Sequence, residues 1–337
     1  MEHSAAKRGR LTNALHTFKS AMKKVFQNLF DVVEKMSSQF LSFAMRPKQA
    51  HRIGTFSDTV TNLPKMAIVI QGGLLLKENF TLETVKLYKQ LYKDVLVIVS
   101  TWEDSDSKAM QALETAGAVL VKSKKPADFG QQNINLQLVS ALAGVEKAQE
   151  LGAEYVLKTR TDQRMYAPNA MEYLYNITQT FGVCGSDVQT KRIVGVSLNT
   201  FKYRMYGLSD MNIFGTVQDM LKYCGAKLDV KTDDSVGPMS LPKPLCEVYL
   251  ATEFLKSVGR DIAWTVEDSW DAFRDHFVVV DEESLDLYWY KYARMREYRY
   301  PQYDTIKNNQ QLSFREWFNI YANRSGHVPK DVKEVII

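Results

Sequence analysis

The chain lacks most of the short signatures that assign chemistry at sight. Its 337 residues contain no GxxxxGK[ST] and no GxGxxG after the first apolar run, so P-loop and dinucleotide-binding readings lose their main support. There is no GxSxG, which disfavours an α/β-hydrolase. There is no HExxH, and five histidines leave little scope for an all-histidine metal site. Cysteine is scarce: Cys184, Cys224 and Cys246 are widely spaced and form no CxxC, which fits a reducing compartment and argues against structural zinc. Neither sign of charge dominates. Lys and Arg number 43 against 39 Asp and Glu, and a net charge of +4 is too weak to call for a nucleic-acid partner. No apolar run approaches the roughly 18 residues that span a bilayer, and the first residues lack the apolar core of a signal peptide. The expectation is a cytoplasmic protein, with peripheral contact on the inner face of a membrane left open.

What is present is an ordinary globular composition, 45% hydrophobic and 24% charged, long enough for one large or two medium domains. Residues 1–64 differ from the rest. Lys7, Arg8, Arg10, Lys19, Lys23, Lys24 and Lys35 interleave with Leu11, Leu15, Phe18, Met22, Leu29 and Val33 at helical spacing. Residues 1–45 therefore read either as a basic amphipathic helix for an anionic membrane surface or as a helix docked on protein. Pro47 ends the pattern, and the stretch to Pro64 reads as a linker. Residues 65–325 form the expected main domain, and 326–337 a tail.

From Met66 short β-rich runs alternate with helical patterns: MAIVIQGG, TLETVKLYKQLY, DVLVIVSTW, SKAMQALETAGA, VLVKS, INLQLVSALAGVEKAQELGA and EYVLKTRTD. Such alternation predicts an α/β layer built on a mostly parallel sheet flanked by helices. Ligands of these sheets bind beyond the carboxyl ends of the strands. The candidates are therefore Gln71 and Gly72 after the first strand, Glu103 and Asp104 after the second, and Arg160, Asp162 and Arg164 after the fourth. A strand-end aspartate suits a hard divalent cation shared with phosphate, and the two arginines suit bidentate phosphate contacts. Asn133 and Asn135 read as helix caps or as ribose contacts. His276 reads as a structural histidine or a late metal ligand. Trp289, Tyr290, Tyr292 and Trp317 read as core or as sugar-stacking rings.

The order and spacing of VIQGG, LKTRTDQR, LSDMNIFGT and FREWF resemble the WavE family of lipopolysaccharide-synthesis proteins over roughly residues 66–320. That resemblance implies a GT-A-like, Rossmann-type fold and a glycosyltransferase. It implies a nucleotide-diphosphate sugar as donor, a UDP-sugar first, and a glycan or lipid-linked acceptor in surface-polysaccharide assembly. The stretch matching the Asp-x-Asp motif of GT-A enzymes is Arg160-Thr161-Asp162. The resemblance makes Asp162 the ligand of a Mn or Mg cation, with Arg160 in place of the first acid and able to replace part of the cation's charge. It sets Gln71 and Gly72 against the nucleotide and Glu103 or Asp104 near base or ribose. For an inverting transfer the base is Glu247, with Asp210 the rival. The competing readings are a catalytically silent sugar-nucleotide or glycan-binding protein and a nucleotidyltransferase.

Overall fold

The computed structural model describes residues 25, 28–36, 46–53, 63–229, 245–293 and 310–323. The chain divides into two compact units, Met1–Arg46 and Pro47–Ile337. In the first, residues 28–36 are helical, and Leu29, Val32 and Met36 are exposed. The remainder of the expected basic helix, with Lys7, Arg8, Arg10 and Lys19, lies outside the described residues, as do Tyr292's side chain and the tail after residue 323.

The second unit begins earlier than the sequence suggests. Residues 47–53, expected as linker, are bonded into it: Glu83 Oε2 accepts from Ala50 N (3.0 Å), and Gln90 Nε2 donates to Ile53 O (2.9 Å). Strands and helices then alternate as predicted. They are β1 (Met66–Gln71), α1 (Phe80–Leu91), β2 (Leu96–Trp102), α2 (Ser107–Thr115), β3 (Val119–Ser123), α3 (Ile134–Glu150), β4 (Tyr155–Arg160) and β5 (Gln163–Met165). Every residue of β1 is buried, as an apolar strand covered on both faces requires. Beyond β5 come α4 (Ala170–Thr180), β6 (Ile193–Val196), β7 (Ile213–Thr216), α5 (Val217–Cys224), α6 (Cys246–Ser257), α7 (Val266–His276) and β8 (Phe277–Val280). The described chain closes with β9 (Leu287–Trp289), α8 (Tyr290–Ala293) and α9 (Phe314–Ala322).

Seven strands make one sheet in the order β3-β2-β1-β4-β7-β6-β8. All are parallel except β7, which runs against both neighbours. The fold is α/β with a mostly parallel, Rossmann-type sheet, as expected. Two features of this order position the site. The chain leaves β1 toward β2 and β3, then returns to β4 on the other flank of β1. The carboxyl ends of β1 and β4, where Gln71 pairs with Arg160, therefore flank a switch point, the usual ligand crevice of such sheets. Because β7 is reversed, its lead-in from Ser209 to Asn212 arrives at that same edge, one residue before Ile213, the partner of Lys158.

The core is close-packed around α3. A Cβ on Gly144 would lie 2.3 Å from Val69 Cγ1, so only glycine lets this helix seat on β1 and β2. At the far side Trp317 is fully buried and its Nε1 donates to the carbonyls of Phe273 and Phe277. That settles Trp317 as core.

Candidate active site

At the switch point lies a cleft of about 450 Å³. Its floor is the turn after β1, Gln71 to Leu75, and the turn after β4, Arg160 to Asp162. Its walls are Trp102, the lead-in to α3 (Gln132, Asn133), the first turn of α3 (Leu136, Gln137) and Lys291 of α8. The turn after β1 is fixed by its backbone. Gly72 has φ +114°, a conformation glycine adopts without strain, and an added Cβ would lie 3.5 Å from Thr161 Oγ1. Thr161 joins the two floor turns: its Oγ1 donates to Gly73 O (2.6 Å), and its N–H donates to Gln71 O (3.2 Å). Gln71 itself is buried, and its Oε1 accepts from Ser140 Oγ (2.6 Å).

Asp162 is held on all sides. Arg160 Nε donates to Oδ1 (2.9 Å) and Arg160 Nη2 to Oδ2 (3.2 Å). Trp289 Nε1 donates to Oδ2 (3.0 Å). Burial pushes the Asp162 pKa up, but the hydrogen bonds and charge of Arg160, with the Trp289 bond, outweigh it and hold the carboxyl below its ordinary value. Trp289 reaches this point through the two-stranded pairing of β5 with β9, in which it faces Gln163. The same pairing lets Tyr290 N donate to Asp162 O (2.9 Å) and brings Lys291 to the cleft.

The donor set at Asp162 does not fit a divalent cation. Both carboxylate oxygens accept from N–H donors, and a guanidinium stands where a second acid would bind metal. Among the described residues no group of three or more His, Cys, Asp or Glu is placed to hold a metal ion.

The two expected catalytic acids, Glu247 and Asp210, do not line this cleft; they belong to a second cluster joined to its wall by a hydrogen bond from Cys246. Cys246, the first residue of α6, donates its N–H to Oε1 of Gln132, a wall residue (3.3 Å). The next residue is Glu247. Its Oε1 accepts from Asn199 Nδ2 and lies 3.8 Å from Arg204 Nη1. Burial first, and the nearby Asp210 charge second, raise the Glu247 pKa against the opposing pull of Arg204 and Asn199. Asp210 is buried at the β7 lead-in, where its carbonyl accepts from Lys158 Nζ. Asn212 Nδ2 then donates to Gln163 Oε1 (2.9 Å), binding that lead-in to the residue after Asp162. Lys158 is buried between the two clusters; burial lowers its pKa, opposed by the charge of Asp210.

Several expected contacts are placed elsewhere. Arg164 is 1% exposed and turned into the core, not toward phosphate. It donates to Thr84 Oγ1, to the carbonyls of Lys48 and Phe80 and to Tyr166 Oη, and its guanidinium lies 4.3 Å from the Phe80 ring centroid. Its inward course follows the acceptors that Thr84, Phe80 and Lys48 offer there, not its distance from Asp162 along the chain. Glu103 and Asp104 are exposed and do not line the cleft, and Asp104 pairs with Lys125 (2.6 Å). Trp102, just before them, is the residue that does. His276 is fully buried just before β8, at the opposite edge of the sheet, with Nδ1 bonded to Gln189 Oε1 (2.7 Å). Asn133 stands at the N-cap position of α3 without a side-chain capping bond and lines the cleft, and Asn135 is buried, its side chain bonded to the backbone of Asp128 and Asp229. Tyr290 is buried and packs on Phe80.

A family description, WavE lipopolysaccharide synthesis, matches residues 66–235, half of the chain. The chain belongs to the WavE family. The matched region carries the whole cleft floor, Trp102, the α3 wall and Asp210; Glu247, Trp289 and Lys291 lie beyond it. A search of curated proteins gave no match. Among solved structures, the WavE chain is similar to glucosyl-3-phosphoglycerate synthase from Mycobacterium tuberculosis, in complex with Mn2+, UDP and phosphoglyceric acid. That likeness has 12% identity, 68% of this chain and 76% of that chain covered, and a TM-score of 0.37. A 4-diphosphocytidyl-2C-methyl-D-erythritol synthase from Anaerococcus prevotii matches at 13% identity, 64% and 87% coverage and a TM-score of 0.34. A cytidylyltransferase from Leptospira borgpetersenii matches at 14% identity and a TM-score of 0.29, covering 49% of this chain and 66% of that one. Scores of this size speak to neither activity nor substrate.

Proposed function

We propose that this WavE protein is an inverting glycosyltransferase. It moves a sugar from a nucleotide-diphosphate donor, with UDP-sugars first to be tested, onto a glycan or lipid-linked acceptor in lipopolysaccharide or surface-polysaccharide synthesis. The observation that carries the reading is a polar cleft at the switch point, floored by Gln71 to Gly73 and Arg160 to Asp162. A buried carboxylate of raised pKa, Glu247, follows Cys246, whose N–H donates to the wall residue Gln132. A general base works best when its pKa approaches the working pH. In this reading Gln71 to Gly73 and Arg160 to Asp162 lie against the donor's nucleotide and diphosphate. Trp102 offers its ring to the base. Glu247 takes the acceptor hydroxyl proton as that oxygen attacks the anomeric carbon, and Asn199 and Arg204 orient it. The Asp210 charge helps keep the Glu247 pKa raised.

The test is incubation with a panel of sugar nucleotides and lipopolysaccharide-derived or lipid-linked acceptors, with products resolved by mass and anomeric configuration. Transfer from one donor class with inverted configuration supports the reading. Retained configuration removes the single-base scheme. Binding of a donor without turnover with any acceptor favours the silent binding protein, and nucleotidyl transfer from a nucleoside triphosphate to a sugar phosphate favours the nucleotidyltransferase.

No helix among the described residues is long and apolar enough to cross a membrane. For residues 1–45 we retain the proposal of contact with an anionic membrane surface. Deleting them is expected to weaken binding to phosphatidylglycerol vesicles in a salt-dependent way and to leave transfer to a soluble acceptor intact. Unfolding of the truncated chain would favour a helix docked on protein.

A further inference from the structure

We infer that Arg160 and Lys291, rather than a divalent cation, stabilise the diphosphate in the cleft, and that Asp162 is the positioning residue for Arg160. The inference rests on the cleft being a nucleotide-sugar site.

Three independent features converge. The first is the construction around Arg160. It ends β4 opposite Gln71, lines the cleft, and keeps about a third of its side chain exposed there (32%). Its Nε and Nη2 are fixed on Asp162, and Trp289 locks that carboxylate from the other side. The guanidinium also lies 5.8 Å from the Trp289 ring centroid. A long, flexible side chain is thus held in one orientation before any ligand arrives, so little conformational entropy is lost on binding.

The second is the route by which Lys291 arrives. Only the pairing of β5 with β9, more than a hundred residues apart in sequence, brings α8 to this wall. Arg160 supplies directed N–H donors, and the Lys291 ammonium lies on the wall of the same cleft. Among the described residues that line the cleft, Asp162 is the one acid.

The third is the facing wall. Leu136 and Gln137 of the first turn of α3, with Gln132 and Asn133 just before it, line the cleft, and Asn133 at the N-cap position gives this 17-residue helix no side-chain cap bond. Its N-terminal partial charge favours an anion there.

A divalent cation would meet obstacles in the same place. Mg²⁺ takes oxygen ligands, whereas both Asp162 oxygens are already accepting from N–H groups. To bind there, a cation would have to break a bidentate pair and lie beside a guanidinium.

The chemical step balances without a metal. The bond between the anomeric carbon and the diphosphate oxygen breaks, and its electron pair stays on that oxygen. The diphosphate gains one negative charge, which Arg160 and Lys291 face. The acceptor oxygen bonds the anomeric carbon, and its proton passes to Glu247.

The test is calorimetric binding of UDP, then of other nucleoside diphosphates, to the full chain in excess EDTA and again with Mn²⁺. The wild type is expected to bind in EDTA, with little change on adding Mn²⁺. Arg160→Ala and Lys291→Ala are each expected to weaken binding about 10–100-fold in EDTA, the range for a hydrogen bond to a charged group. Arg160→Asp creates an Asp-Thr-Asp sequence, and its binding is expected to become Mn²⁺-dependent. A purely structural role for Arg160 would not produce that switch. Asp162→Asn is expected to weaken binding without creating metal dependence. Wild-type binding that vanishes in EDTA and returns with Mn²⁺ overturns this inference and leaves the nucleotide-sugar reading standing. If no nucleoside diphosphate binds with or without Mn²⁺, the nucleotide-sugar reading itself falls. If Arg160→Asp does not fold, the wild type and Lys291→Ala still decide the question.

Discussion

Replacing Glu247 with Gln should separate catalysis from stability in opposite directions. The substitution keeps an oxygen for Asn199 Nδ2 to donate to and removes the group that accepts a proton. Loss of a general base lowers turnover by about 10²–10⁴-fold, which corresponds to about 2.7–5.4 kcal/mol of barrier. Donor affinity should hold, because the diphosphate contacts lie on the Arg160 side of the cleft. Stability should move the other way. Burial and the Asp210 charge keep the proton on Glu247 to higher pH in the folded chain than in the unfolded one. The folded state therefore binds more protons within that window, and stability falls as pH rises from the ordinary 4.5 through the raised value. Glutamine has no such titration. The variant should match the parent at low pH and exceed it at neutral pH, while Arg204 keeps its bond to the Asn199 carbonyl (3.1 Å). Initial rates at saturating donor and urea midpoints at several pH values measure both effects. Near-parental turnover in a folded Glu247→Gln chain would refute the assignment. If Asp210→Asn abolishes turnover while Glu247→Gln only weakens binding, the two roles are reversed.

Other consequences follow from particular contacts. Arg164→Met strips donors from Thr84 Oγ1 and from the carbonyls of Lys48 and Phe80. It should cost about 2–5 kcal/mol in urea denaturation, and an unchanged midpoint would mean the buried guanidinium contributes nothing net. Gly144→Ala drives a methyl against Val69 Cγ1 at 2.3 Å and should cost about 1–3 kcal/mol. A melting temperature equal to the parent's would show that α3 can lift off the sheet freely. Burial lowers the His276 pKa to about 4, so the unfolded chain binds the proton more readily. Stability should fall as pH drops from about 6.5 to about 4. His276→Gln should remove that portion of the slope, and an unchanged slope would sink the account.

Local pattern carried much of this protein. Period and composition made β1 through β4 and their helices legible, because an apolar strand covered on both faces and an amphipathic helix each leave a mark within a dozen residues. The rule that ligands meet strand ends then pointed to Gln71, Gly72, Arg160 and Asp162, and these converge on the cleft floor. The same rule misplaced Glu103, Asp104 and Arg164. Knowing that a residue follows a strand does not say which way its side chain turns. Arg164 goes inward because Thr84, Phe80 and Lys48, distant in sequence, offer acceptors there. Trp289 and Lys291 were beyond sequence reasoning for a related cause: the β5–β9 pairing that delivers them has no local signature. The neighbourhood of Glu247 and Asp210 depends on the reversed β7, whose direction is set by its partners β4 and β6. Residue order alone was enough to mark the segments from β1 to β4 as strands and helices and to show which strand ends carry polar residues. Tertiary structure alone decided which of those residues share a cleft, because side-chain direction and long-range pairing are fixed by partners that no short window contains.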